Sequence, residues 1–397
     1  MQKVVISEPL RTAIGAFGGT LKDTSPTQLG STVVKEILDR TGVDPKEIDD
    51  CIMGNILSAG QGMNISRQVA LGAGLPIETP ALTVNRVCGS GIQTIVLGAQ
   101  AIKAGDADAI IAGGTENMNQ APFYLQKARY GYRMGMPKDE IVDGMVYDGL
   151  WDIFNDYHMG VTAENLAEAY NISKEEQDEF AYKSQMKCKE AMDSDRFQDE
   201  IVPVMIPQRR ADPVSFQKDE HPKGDTTMEG LQRLRAVFKV GGTVSAGNAS
   251  GINDGAAAVL ITSEKKAKEL GLKPVASIVS YAVAGVDPSI MGIGPVPAIQ
   301  KALDKAKLSI DDIDLFELNE AFAAQSLAVL RDLPVPEDKI NVNGGAIALG
   351  HPIGASGTRI LVTLLHEMKK RKKAKRGLAA LCIGGGMGIA MIVEKEK

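Results

Sequence analysis

The reactive side chains of this 397-residue chain are few: four cysteines and four histidines. Cys88 stands in NRVCGSG (85–91), between the apolar run Ala81-Leu82-Thr83-Val84 and a helical pattern that begins at Ile92. Small residues in a strand-to-helix turn permit close backbone approach. The N–H groups and positive end of a helix favour thiolate, the nucleophilic form of cysteine. The spacing predicts an acidified nucleophile at Cys88, with N–H groups beside it that can hold an oxyanion. A second candidate thiol, Cys382, ends the strand-like run from Leu378 and is followed by IGGGMG (383–388). Cys51, inside an apolar run, reads as a core residue, and Cys188, in a charged helix, is expected at or near the surface.

His351 lies in NGGAIALGHPIGASG (343–357), a loop with enough glycine to lie against a ligand. Its imidazole can act as base to a thiol or donate to a developing negative charge. His366, among helix charges, is expected to be solvated, and His221 sits in a polar loop without a signal. Asn319, in Asn319-Glu320-Ala321-Phe322, follows the strand-like run 313–318 and presents an amide at its end. The run GNASGINDG (247–255) has no lysine of the phosphate-loop type, and GGTENM (113–118) lacks the order of a dinucleotide fingerprint. The cysteines lack metal spacing, and no metal is expected.

Positioning these groups requires an α/β framework. Strand-like runs alternate with helical patterns: 4–6, a helix from about 27 to 39, 51–53, a helix from 92, then 109–112 ending at Gly113-Gly114. The same grammar recurs near the end, where Ser356-Gly357 opens a helix and 378–383 follows as a strand that ends in glycines. Aligning Ser90-Gly91 with Ser356-Gly357 sets Cys88 near His351 and Pro352 and predicts two similar halves. Residues from about 120 to 245 differ in texture, with one clear helix near 174–192, and read as an insertion. The basic run 369–376 is expected to end a helix, where cations favour the dipole.

Composition limits the partners. A net charge of −6 argues against general nucleic-acid or membrane-surface binding. No run of 18 apolar residues exists, and the first fifteen residues do not resemble a secretory signal, so a reducing cytoplasmic setting is expected.

In combination, NRVCGSG, GGTENM, GNASGINDGAA, NEAF, NGGAIALGHPIGASG and CIGGGMG resemble, in order and spacing, the thiolase family in its short-chain biosynthetic branch. That resemblance implies a five-layer α-β-α-β-α fold of two βαβαβαββ halves. They would comprise residues 1–119 plus about 250–270 and residues 271–397, with an inserted loop domain at 120–249 for coenzyme A binding and oligomer contacts. It implies that Cys88 accepts an acetyl group from acetyl-CoA after His351 takes its proton. Cys382 then removes an α-proton from a second acetyl-CoA, giving acetoacetyl-CoA and CoA reversibly. The N–H groups of Cys88 and Gly384 would hold the acyl-transfer oxyanion, and His351 with a water on Asn319 the enolate. Leu150, His158, Met159, Lys223, Phe238, Ala246, Ser250, Met291, Ala321 and Phe322 would bind substrate, with Met291 narrowing the acyl pocket. Lys223 and Gly230 stand where the family commonly has Arg and Ser. A homotetramer without further cofactor, the thioester being substrate, is implied in the same way.

Three rivals remain at this point: a longer-chain degradative 3-ketoacyl-CoA thiolase, a β-ketoacyl synthase, and a non-catalytic acyl-CoA or lipid-binding relative. The thiol at Cys382 argues against the second, and the presence of all four reactive side chains against the third. Two thiols that serve one small substrate must lie close, so mild oxidation is expected to join them where their backbone spacing permits.

Overall fold

A computed structural model of the chain describes residues 2–132 and 141–396. Its first half runs β1 (Val4–Thr12), α1 (Pro26–Thr41), β2 (Asp50–Gly54), α2 (Ile65–Gly72), β3 (Ala81–Val84), α3 (Ser90–Ala104) and β4 (Ala109–Asn117). An inserted region containing α4 (Met159–Ala169) and α5 (Lys174–Asp193) follows, before β5 (Asn253–Ser263) completes the half. The second half repeats the plan with β6 (Ala276–Gly285), α6 (Pro295–Ala306), β7 (Leu315–Leu318), α7 (Ala323–Asp332), α8 (Ser356–Lys370), β8 (Arg376–Ile383) and β9 (Met387–Lys395). The counterpart of β3 is reduced to one parallel bridge, Phe316 with Ile340.

The strands order as β7-β8-β9-β6-β1-β5-β4-β2-β3. β1 and β6, the first strand of each half, meet antiparallel at Val5 with Ser277 and Ile6 with Ala276. Alternation then assigns side chains to layers. In β8, Ala379, Leu381 and Ile383 join α3 and α8 in a central core, whereas Leu378, Ala380 and Cys382 join α6 and α7 on the far side. In β4, Ile110 and Ala112 face α3, while Ile111 packs with α1 and α2. Strands buried on both faces read as continuous apolar runs. Helices outside the sheet's two halves and α3 and α8 between them give five layers, as expected.

Local signals set the helix ends. Ser25 and Gln28 form a reciprocal cap at the start of α1, Pro26 sits at its first turn, and Gly42 ends it at φ 64°. α3 and α8 cross at their N-termini, where a Cβ on Gly91 would lie 2.5 Å from Thr358 N and one on Gly357 would lie 2.5 Å from Ile92 N. The paired Ser-Gly motifs therefore serve helix-on-helix contact.

Three expectations need correction. β4 does not end at Ala112 but runs through Gly113 and Gly114 to Asn117, because β5 pairs with it along its whole length. Cys188 is buried, in a stripe with Gln177, Asp178, Ala181, Ser184, Gln185 and Ala191, and α5 turns most of its other charges outward. The small and polar members of that stripe hide its 3.6-residue period. His366 is buried as well, its Nε2 donating to Pro9 O at 2.8 Å. The insertion is fastened to β1 by buried Arg11, which meets Glu200 at 2.6 Å and Asp219 through two bonds of 2.7 and 2.9 Å. The basic run from Lys369 does end α8, and most of it is exposed.

Candidate active site

Cys88 occupies the turn between β3 and α3. The preceding residue, Val87, has φ 44°, a costly conformation for a β-branched side chain. The turn is braced from both sides: Asn85 Oδ1 accepts Val87 N at 2.9 Å, while Ser90 Oγ accepts Arg86 N at 2.8 Å and donates to Val87 O at 2.6 Å. Gly384 packs beside Val87, a Cβ there lying 3.4 Å from Val87, and its N–H, with that of Cys88 itself, favours the Cys88 thiolate. The expectation of an acidified thiol fails in the ligand-free protein. Burial outweighs both N–H groups and pushes Cys88 up to about 11, with the buried Glu116 adding to the rise.

Cys382 is the penultimate residue of β8 and is 1% exposed. The following turn reverses into β9 through Gly385 and Gly386 at φ 84° and 83°, which brings Gly384 over Cys88. Burial raises the Cys382 thiol, and Cys88 raises it further; the two turns pack together, since a Cβ on Gly89 would lie 2.4 Å from Ile383 and one on Gly384 3.4 Å from Val87. Both thiols are free.

His351 is 5% exposed and closes the loop before α8. Its Nδ1 lies 2.6 Å from Ser356 Oγ, and that hydroxyl lies 2.9 Å from Pro352 O. A hydroxyl has one proton to give. With that proton assigned to the carbonyl, Nδ1 carries the imidazole hydrogen, leaving Nε2, which has no partner among the described residues, as a bare acceptor. Burial, assisted by the charge of Arg359, pushes the imidazole down to about 3, the neutral form that a base requires. The loop passes so near its supports that Gly350 (φ 103°) would place a Cβ 2.5 Å from Asn253, whose Oδ1 accepts His351 N at 2.9 Å. Glu116 ties it to the other half, its carboxylate accepting Gly354 N at 3.0 Å, Ile56 N at 3.0 Å and Leu57 N at 3.1 Å.

Asn319 extends β7 through a bond from its N–H to Ala380 O at 2.9 Å. The side chain is 2% exposed, yet neither its Nδ2 nor its Oδ1 has a partner among the described residues. A buried amide left open on both atoms is suited to hold a water or a polar substrate atom. The next residue, Glu320, is anchored by Ser184, Asn341 and Ile347 N.

Around these groups lie most of the other residues singled out. Met159, Met291, Ala321, Phe322 and Cys382 pack in one apolar cluster, which Phe238 joins from its edge. His158 caps α4 through Nδ1 and Gly160 N at 3.0 Å and stacks on Phe238 with ring centroids 4.6 Å apart; Phe238 meets Phe322 edge-on at 6.1 Å. Ser250 N donates to Ala321 O at 3.0 Å, joining the GNASG loop to the NEAF loop. Leu150 packs beside Cys88 under Met118 and Ile353. Ala246 and Lys223 are exposed, and the side chain of Lys223 has no bond to the site. His221 packs against Gly251 and is pushed down to about 4, chiefly by burial. Sequence reasoning missed Ser356, Asn253 and Glu116. Each was visible inside a quoted motif, but each acts on backbone or on another side chain, and the motifs do not specify those pairings.

Matches to known proteins cover nearly the whole chain. A model described as thiolase, N-terminal domain, matches residues 4–265, and one described as thiolase, C-terminal domain, matches residues 272–395. A Syntrophomonas wolfei protein named acetyl-CoA acetyltransferase is 58% identical over 395 residues, 99% of each chain. A Staphylococcus aureus protein named probable acetyl-CoA acyltransferase is 55% identical over 397 residues, covering 100% of both. The crystal structure of the Bacillus anthracis acetyl-CoA acetyltransferase superposes with a TM-score of 0.97 at 46% identity, covering 100% of this chain and 99% of that one. Human mitochondrial 3-ketoacyl-CoA thiolase in complex with CoA gives 0.95 at 47% identity, with 100% and 98% covered.

Proposed function

The chain belongs to the thiolase family, and from that premise we infer that it is an acetyl-CoA C-acetyltransferase that condenses two acetyl-CoA into acetoacetyl-CoA and CoA, reversibly. The observation that supports this reading is the packing of the Cys88 turn against the Cys382 turn, one from each half, together with the unpartnered Nε2 of His351 and the unpartnered amide of Asn319. Cys88 Sγ attacks the thioester carbonyl as His351 Nε2 takes its proton. CoA leaves with its sulfur protonated by the Cys382 thiol, so the acetyl group remains on Cys88 and Cys382 is left as the thiolate. That thiolate then takes the α-proton of the second acetyl-CoA and becomes a thiol again. The enolate carbon bonds to the acetyl carbonyl carbon, the Cys88–acyl bond breaks, the Cys88 sulfur recovers its proton from the His351 imidazolium, and acetoacetyl-CoA departs.

The covalent step keeps the acyl carbon electrophilic while the first CoA leaves. The N–H groups of Cys88 and Gly384 stabilise the tetrahedral oxyanion, each such donor contributing roughly 3 kcal/mol. His351 and a water on Asn319 stabilise the enolate. A raised Cys88 thiol fits general-base attack, because the proton leaves only as the bond forms.

Coenzyme A enters over His158, Phe238 and Phe322, with Leu150, Met159, Ala246, Ser250 and Ala321 along its path and Lys223 at the outer end. Met291 closes the acyl end and favours the acetyl group over longer chains. No further cofactor takes part. We place the enzyme in the cytoplasm as a homotetramer acting in fatty acid metabolism, and sedimentation tests its assembly. Thiolytic cleavage of acetoacetyl-CoA, measured for the wild-type protein and for Cys88→Ala, tests the chemistry: activity retained in the variant ends it.

A further inference from the structure

Arg359 lies in the first turn of α8, three residues beyond the Ser356 that holds His351. It is 1% exposed, and its Nε, Nη1 and Nη2 find no hydrogen-bond partner among the described residues. Arg11 provides the contrast, since its buried guanidinium is fully engaged by Glu200, Asp219 and Thr12 O. A buried guanidinium that serves stability alone is expected to be bonded in this way. The acidic group opposite Arg359 is Glu317, 3.9 Å from Nη1 and beyond hydrogen-bond reach; burial pushes its carboxyl up to about 8 against the pull of Arg359 and lowers Arg359 itself. Glu317 stands on β7 two residues before Asn319, which continues the strand's pairing through its N–H bond to Ala380 O. The Arg359–Glu317 pair thus joins the helix turn that carries Ser356, the partner of His351, to the strand that leads into Asn319.

We propose that Arg359 is a positioning residue for the reaction: its charge, paired across a gap with Glu317, holds the helix turn that carries Ser356 and His351 at a fixed separation from the strand end that carries Asn319. The imidazole and the amide must both address the enolate oxygen, so their spacing governs that step. This rests on the roles given to His351 and Asn319 above. The same fixed positive charge disfavours imidazolium at His351. The groups that face Arg359 are Glu317 from β7, Arg11 from β1, and Glu200 and Asp219 from the inserted region.

The test uses the full-length enzyme with Arg359→Met, Arg359→Lys and the double variant Arg359→Met/Glu317→Gln, which leaves no lone carboxylate if the single change does not fold. Arg359→Met is expected to lower kcat for acetoacetyl-CoA thiolysis about tenfold or more with KM within about twofold, and Arg359→Lys to recover most of the loss. The double variant should keep the low kcat. In ligand-free protein carrying carbon-13 imidazoles, four resonances are expected from the four histidines. The one removed by His351→Asn should titrate at higher pH in Arg359→Met than in wild type. A folded Met or double variant with wild-type kcat, a loss confined to KM, no rescue by Lys, or an unmoved His351 titration each overturns the proposal. An inactive wild-type enzyme would instead overturn the assigned function, and the imidazole titration still reads the coupling.

Discussion

Replacing Ser356 by alanine isolates the support of the imidazole from its chemistry. The hydroxyl is buried, accepts from His351 Nδ1 at 2.6 Å and does not line the coenzyme A path. Pro352 O keeps the Ser356 backbone N–H at 2.9 Å, so Nδ1–H is the group that loses its partner. As His351 takes the proton of Cys88 it becomes imidazolium, and a hydrogen bond from a charged donor contributes about 1.5–3 kcal/mol. That interaction strengthens toward the transition state, so its loss should lower kcat/KM roughly 10- to 150-fold, most of it in kcat. The unpartnered Nδ1–H should also cost about 1–3 kcal/mol of stability, read by denaturant unfolding. Steady-state thiolysis of acetoacetyl-CoA by wild type and Ser356→Ala provides the comparison. A folded variant within twofold of wild-type kcat/KM would refute the view that Ser356 sets the tautomer and orients the base.

Three further perturbations test separate parts of the site. Glu116→Gln should destabilise the protein by about 1–3 kcal/mol and reduce activity, because an amide NH2 would face N–H groups that now donate to a carboxylate; an equally stable and active variant would contradict that account. Since burial raises Cys88 from 9.0 to about 11, its thiolate fraction grows as pH rises toward that value. Iodoacetamide should therefore alkylate the ligand-free enzyme faster across that range, whereas a plateau below it would mean that the helix end outweighs burial. Met291→Ala, opening a cavity beside Met159, Phe322 and Cys382, should cost about 2–5 kcal/mol of stability. It should also raise the activity ratio of longer 3-ketoacyl-CoAs to acetoacetyl-CoA, and an unchanged ratio would remove Met291 from chain-length selection.

Much of the framework was legible because both halves of the sheet are buried on two faces, and strands so placed show as apolar runs between helical patterns. The reactive residues were legible because each sits at a chain reversal, where glycine and small residues mark close approach. What escaped the sequence depends on the third dimension. Gly113 and Gly114 looked like a strand end, yet they lie inside β4 where it is closely packed: a Cβ on Gly113 would lie 2.3 Å from Ala257 O of β5, and one on Gly114 2.0 Å from Gly354 O in the loop beyond His351. Cys188 and His366 looked exposed because charges flank them along the chain, yet Lys189 beside Cys188 turns outward while Glu367 beside His366 is buried with it, accepting from Asn343, Arg196 and Arg371. The acidity expected of Cys88 was misjudged for a related reason. A helix N-terminus can be recognised in a sequence, but the depth at which it is buried cannot.

The reciprocal crossing at Gly91 and Gly357 has the character of an isologous dimer contact, in which the same patch meets itself across a local axis. Within one chain, such a contact is the mark expected of an ancestral homodimer fused after gene duplication. Fusion freed the two copies to diverge on either side of the axis, so that one now contributes Cys88 and the other His351, Asn319 and Cys382. Neither half retains a complete set of reacting groups, and a fragment carrying only one of them would have nothing to catalyse with.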